Sequence, residues 1–203
     1  GCPVDPIVVE VPAAFKAASL CLARLFELAE SVRSAAASGQ SVSYASVEQT
    51  FALGLNAAQC ELHAAVLGAM APEDERLLVD GVLHRKALRA ATTFYCAAGP
   101  VSVTRWLYRP CGDRHAPTVD PVALQIGAVA GTWMPATASA MAFLVQQGPV
   151  REAAQTAHHL GLLPYSPASF HRVTQAVGER YAAHLDGSSG TSPSSVTSSV
   201  WRQ

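Results

Sequence analysis

Long apolar runs, aromatic side chains and charge are all scarce in this chain of 203 residues. No uninterrupted stretch reaches the roughly 18 apolar residues that a membrane-crossing helix needs, so the sequence predicts no membrane partner. Aromatic residues make up 7% of the chain and charged residues 14%, while half the residues are apolar. That balance is globular, and its alanine content favours helix. The five cysteines are odd in number and irregularly spaced. They do not make a disulfide framework, and reduced thiols in a cytoplasm are the expectation. The opening GCPVDPIVVEVPAAFK has acids before its apolar run and lacks a basic segment, which argues against a secretory signal. Position 1 is not Met, which suggests a fragment or a processed product.

Clustered carboxylates are missing too. Phosphoryl transfer on DNA requires grouped acids to hold two metal ions. After Pro117 the only acids are Asp120, Glu152, Glu179 and Asp186, and they are scattered. His158 and His159 are adjacent, so on a helix their rings diverge by about 100°. No catalytic residue, metal or cofactor is therefore assigned. Cys96, Cys111 and His115, with His84, carry zinc-type donors but lack the close pairs that zinc sites use. Two buried thiols are the plainer reading.

What the chain does have is an uneven charge distribution. Residues 1–80 hold four basic and ten acidic side chains, a balance of −6. Residues 81–115 hold Arg85, Lys86, Arg89, Arg105, Arg109 and Arg114 against Asp113, a balance of +5. Residues 116–203 hold four of each sign. Concentrated positive charge suits phosphate binding through counterion release, although a basic ribbon also keeps a sheet edge soluble.

The apolar periodicity predicts a helix over 13–38, with Phe15, Ala18, Leu22, Leu25, Ala29 and Val32 on one face. A second helix is expected from Ser46, where Ser46 and Gln49 have capping-box spacing, to about Ala69. Two such helices make an antiparallel hairpin or an oligomer interface. The period then changes. Arg89–Cys96 is rich in Thr and aromatics and Val101–Tyr108 alternates, with Ala98-Gly99-Pro100 between, which predicts a β-hairpin. Residues 110–135 read as irregular. Three helices follow, over about 136–147, 149–160 and from Ser166-Pro167, the last with Phe170, Val173, Val177 and Tyr181 on one face. Ser169, Arg172 and Gln175 then face outward beside His171, as in a reading helix of a helix-turn-helix. Their connection is longer than the usual turn, and a plain helical bundle is the alternative. The tail holds seven Ser and two Thr between Gly187 and Ser199 and reads as disordered.

The segment HRKALRAATTFYCAAGPVSVTRWLYRPCG resembles the middle of ISKra-type bacterial insertion-sequence transposases. The resemblance rests on His84, Arg85, Leu88, Arg89, Thr93, Tyr95, Gly99, Pro100, Val101, Arg105, Leu107, Tyr108 and Arg109, and on Trp133 with Pro135. In that family a Pro-Leu-Asp-like stretch follows the hairpin, and Val119-Asp120-Pro121 stands in its place. About 100 residues are covered, up to Tyr181. The resemblance implies double-stranded DNA at element ends as partner, and a missing RNase H-like catalytic domain. The combined expectation is a mainly α fold with one central β-hairpin. A helical region (1–80) precedes a basic β-ribbon (81–115), a helix-turn-helix-like three-helix bundle (116–184) and a disordered tail (185–203). The expected DNA contacts are Arg85, Lys86, Arg89, Arg105, Arg109, Ser169, His171, Arg172 and Gln175, with a possible homo-oligomer through the N-terminal helices. The alternative is a truncated, non-catalytic oligomerisation or interaction protein, or a degenerate remnant, with no DNA affinity.

Overall fold

Sequence pattern sets the helices of the protein, whose computed structural model describes residues 8–187 and 200–202. The chain forms two compact units, Gly1–Ala65 and Val66–Gln203. In the first, a short 3-10 turn at Ala13–Phe15 leads into α1 (Lys16–Ala37), which ends where Gly39 adopts φ +76°. The helix α2 (Tyr44–Met70) begins two residues before the expected Ser46, and the Ser46 amide donates to the Ser43 carbonyl. The proposed Ser46–Gln49 capping box therefore lies inside the helix and cannot cap it.

Apart from Ser19, the buried or half-buried positions of α1 are Ala18, Cys21, Leu25, Leu28, Val32 and Ala35. They recur at alternating steps of three and four, the spacing of a coiled-coil seam. On α2 the matching seam is Val47, Phe51, Gly54 and Ala58. A Cβ at Gly54 would lie 2.4 Å from Leu25 Cδ2, so the missing side chain is what lets the two helices approach.

The second unit is a four-stranded sheet and a helical bundle. The strands β1 (Arg76–Val79), β2 (Val82–Cys96), β3 (Gly99–Pro110) and β4 (Val200–Arg202) pair in the order β3-β2-β1-β4. The central hairpin is the one expected, though longer, and its turn is Ala97-Ala98, with Gly99 and Pro100 already in β3. Two readings are corrected. Residues 76–79 are strand and not part of a helical region, because Asp80 (φ +49°) and Gly81 (φ +78°) make a two-residue turn that returns the chain into β2. Positive φ at both central residues is the geometry of the tight hairpin turn. Replacing Gly81 by alanine should cost about 1 kcal/mol, since a left-handed residue with a Cβ is strained. Urea unfolding would measure it. The tail is the second correction: Val200–Arg202 lie antiparallel to β1, while 188–199 and 203 fall outside the described residues.

After β3 the chain is not wholly irregular. The short helix α3 (Pro121–Gln125) is capped by Asp120, whose carboxylate accepts from the Val122 and Ala123 amides. The bundle α4 (Pro135–Gln147), α5 (Val150–His159) and α6 (Pro167–Gly187) falls within a residue or two of expectation, with Ser166 Oγ accepting from the Ser169 amide at the start of α6. Its core is Ala138, Met141, Ala153, Ala157, Phe170 and Val173. Val177 packs against that core, but Tyr181 is 69% exposed and does not continue the stripe.

Backbone hydrogen bonds tie the hairpin tip to this bundle. Tyr95 donates to the Thr132 carbonyl and accepts from the Met134 amide, and the Leu163 amide donates to Ala97. Trp133 stacks on Tyr95 at 4.5 Å between centroids, and Tyr165 meets both rings edge-on. The Tyr165 hydroxyl donates to the Cys96 carbonyl. Aromatic contacts of this kind add roughly 0.5–1.5 kcal/mol each beyond burial. The ribbon is thus held rigidly at its tip.

Candidate nucleic-acid interface

One extra residue decides how the basic side chains are distributed. The β2–β3 register runs unbroken except between Lys86, opposite Tyr108, and Leu88, opposite Leu107, so Ala87 is a β-bulge. Directly opposed residues in an antiparallel pair project from the same face, and a bulge inverts that phase along its own strand. Arg85 lies opposite Arg109 on β3 and opposite Arg76 on β1. Three arginines therefore stand side by side across three strands, a row about 10 Å long at ordinary strand spacing. Lys86 and Arg89, with Trp106, occupy the other face.

The row is unusual because like charges directly opposed destabilise a sheet. Arg76 and Arg85 are exposed and Arg109 is half-buried. Among the described residues none of the three is in an ion pair. Arg109 Nη1 donates to the Arg114 carbonyl at 2.7 Å, whereas its Nε is buried without a hydrogen-bond partner. The loop after β3 rises beside the row and completes a pocket of about 630 Å³ with Arg76, Arg85, Asp113, Arg114 and His115. Asp113 is its one acid. Asp113 Oδ1 accepts from the His115 and Ala116 amides and so holds the loop in shape.

The remaining expected contacts divide three ways. Lys86 is half-buried on the far face. Its ammonium donates to the Glu73 carbonyl, faces the Glu73 carboxylate at 3.7 Å and lies 5.1 Å from the Trp106 ring centroid. Arg89 is exposed on that same face. Arg105 is the clear correction. It is 1% exposed, and its guanidinium forms a bidentate pair with Asp120, donates to the Val103 carbonyl and lies over the Phe94 ring. Burial pushes its pKa down to about 10, so it stays charged at neutral pH. It cannot reach a phosphate. It joins β3 to the start of α3.

On α6, His171, Arg172 and Gln175 are exposed as expected. Gln175 donates to Glu179, and Ser169 is half-buried within the helix cap, its hydroxyl 3.2 Å from that of Ser166. The α5–α6 connection is Leu160–Ser166, longer than a helix-turn-helix turn.

Sequence reasoning missed Arg76, Arg114 and His115. Arg76 was lost with its strand, and the other two sit in a loop whose position no periodicity fixes. The zinc-type donors do not assemble. Cys96 and Cys111 lie beyond opposite ends of β3, roughly 36 Å apart for an extended strand. Cys96 is buried and Cys111 exposed, which corrects the reading of two buried thiols. His84 is buried, with Nδ1 2.9 Å from the Val82 carbonyl. Among the described residues no group of three or more His, Cys, Asp or Glu is placed to hold a metal, none of the cysteines forms a disulfide, and no helix is long and apolar enough to cross a membrane. Comparison with family models, curated proteins and solved structures gives no match.

Proposed function

We propose that this chain is a DNA-binding, non-catalytic portion of an ISKra-type transposase, which grips duplex phosphates through Arg76, Arg85 and Arg109. The arginine row carries the reading: three opposed cations are retained in a sheet at a cost in stability, without acidic partners. Displaced counterions would drive the association. Arg89 on the opposite face and His171, Arg172 and Gln175 on α6 are the further candidate contacts, with α6 reading the element's terminal repeats. Arg105 no longer belongs to the set. The thiols suit a cytoplasmic setting.

Fluorescence anisotropy with a labelled duplex over a salt series tests the reading. Three phosphate contacts give a slope of log K against log salt near −2.7, at about −0.9 per contact. A slope near zero, or no binding at low salt, would remove it.

The same reading includes self-association through α1 and α2, and a specific observation favours it. Leu22 and Phe26 on α1 are 37% and 73% exposed, and Leu55 and Leu62 on α2 are 55% and 43% exposed. Leu22, Phe26 and Leu55 each follow a seam position by one residue, so in an antiparallel pair they lie on one side of the hairpin, and Leu62, seven residues after Leu55, continues that side. A seam whose fully buried members are Ala18, Val47 and Ala58 is thin for two long helices. A second hairpin laid on the exposed side would make a four-helix bundle. Phe26→Glu combined with Leu55→Glu should convert an oligomer to a monomer by light scattering. DNA contacts of the second unit would survive, at reduced avidity. A wild-type monomer at tens of micromolar would count against self-association.

A further inference from the structure

We infer that the pocket beside the arginine row takes a terminal phosphate monoester of a nucleic-acid strand, an inference that rests on the DNA-binding reading. The row alone suits any backbone. The pocket is more particular, because the loop that closes it is held in shape on both sides. Asp113 Oδ1 gathers the His115 and Ala116 amides, and Arg109 Nη1 fixes the Arg114 carbonyl. Arg76 and Arg85 form the floor, and Arg114 and His115 form the wall. Arg114 Nε donates to His115 Nε2 at 3.2 Å, so these two side chains are arranged together.

Chemistry then selects the ligand. Three arginines and a histidine are offset by one carboxylate, one of whose oxygens is already occupied by two amides. A monoester phosphate carries close to two negative charges and three free oxygens, whereas an internal diester carries one charge and two. Guanidinium forks match such oxygens in pairs. Arg109 does not line the pocket and supports it from behind, through the bond from its Nη1 to the Arg114 carbonyl. A chain end enters a walled pocket more readily than a strand that must also leave it.

The test compares one blunt duplex carrying either a 5′-phosphate or a 5′-hydroxyl, binding to the full chain by anisotropy. The phosphorylated duplex should bind about tenfold tighter, the equivalent of roughly one charge-assisted hydrogen bond. Arg114→Ala should abolish the preference, so that the phosphorylated and hydroxyl duplexes bind the variant equally. Circular dichroism of the variant would show that it folds. Equal affinities for both duplexes with wild-type protein would overturn this inference and leave the DNA-binding reading intact. Failure of either duplex to bind would overturn both. Inorganic phosphate, titrated by calorimetry, distinguishes the source: displacement of the phosphorylated duplex only at millimolar phosphate supports a strand end, whereas tight binding of phosphate with no duplex preference overturns it.

Discussion

The double variant Arg85→Gln, Arg109→Gln should lose about 100-fold in DNA affinity while becoming slightly more stable. Hydrogen bonds to charged groups contribute roughly 1.5–3 kcal/mol each, and 1.4 kcal/mol is a factor of ten. Loss of two phosphate contacts should also flatten the salt slope by about 1.8. Stability moves the other way because Arg85 faces a like charge on each side, opposite Arg76 and Arg109. Relief of such a pair is worth roughly 0.2–1 kcal/mol. The opposite signs make the result diagnostic. A binding residue that is also a structural burden behaves this way, whereas a residue that only supports the fold would lose both quantities together. Anisotropy and urea unfolding on the same preparation would measure the two. Unchanged affinity with raised stability would leave the row as a sheet feature without a ligand.

Arg105→Ala should behave in the reverse manner, costing roughly 3–5 kcal/mol of stability without a direct effect on DNA contacts. Removal of one partner of a buried pair strands the other charge, which is far more costly than removal of both. The stranded group is Asp120, which also caps α3 and lies 16% exposed at its side chain. Arg105 further gives up its contact with the Phe94 ring and its bond to the Val103 carbonyl. For a unit of this size the loss corresponds to a melting temperature lower by on the order of 10 °C. Arg105→Met with Asp120→Asn should cost much less than the sum of the single changes, because neither charge remains buried alone. Calorimetry of the three variants gives the coupling. Additive losses would mean that the two side chains act independently.

These three arginines show what the sequence made legible and what it hid. The helices were readable because alanine-rich apolar periods were punctuated by Gly39, Gly148, Gly161 and Pro167. The central hairpin was readable because its period switched from helical to alternating. That same alternation placed Arg105 in phase with Val101 and Val103, both buried. Phase therefore pointed inward while charge pointed outward, and phase won because Asp120 arrived from fifteen residues later to neutralise the guanidinium. No local pattern announces such a partner. The strand β1 carried a usable signal in Val79-Asp80-Gly81-Val82, a two-residue turn between apolar residues. Flanking acids and the brevity of the strand concealed it. Within the site, Arg85 and Arg109 were expected and Arg76 was not, because the row is a property of pairing across three strands and not of spacing along one.

The bulge at Ala87 has an evolutionary implication. Loss of that single codon would leave the composition, charge and hydropathy of the ribbon almost unchanged. It would also leave the faces unchanged, because Lys86 would then join Leu88 directly and every pair from Arg85–Arg109 to Cys96–Gly99 would keep its partner in a regular ladder. A single deletion at that point is therefore absorbed by the strand, whereas removal of a second residue would turn the side chains beyond it to the opposite face. In any descendant of this chain, the spacing between Leu88 and Phe94 should drift far less than the residues that fill it.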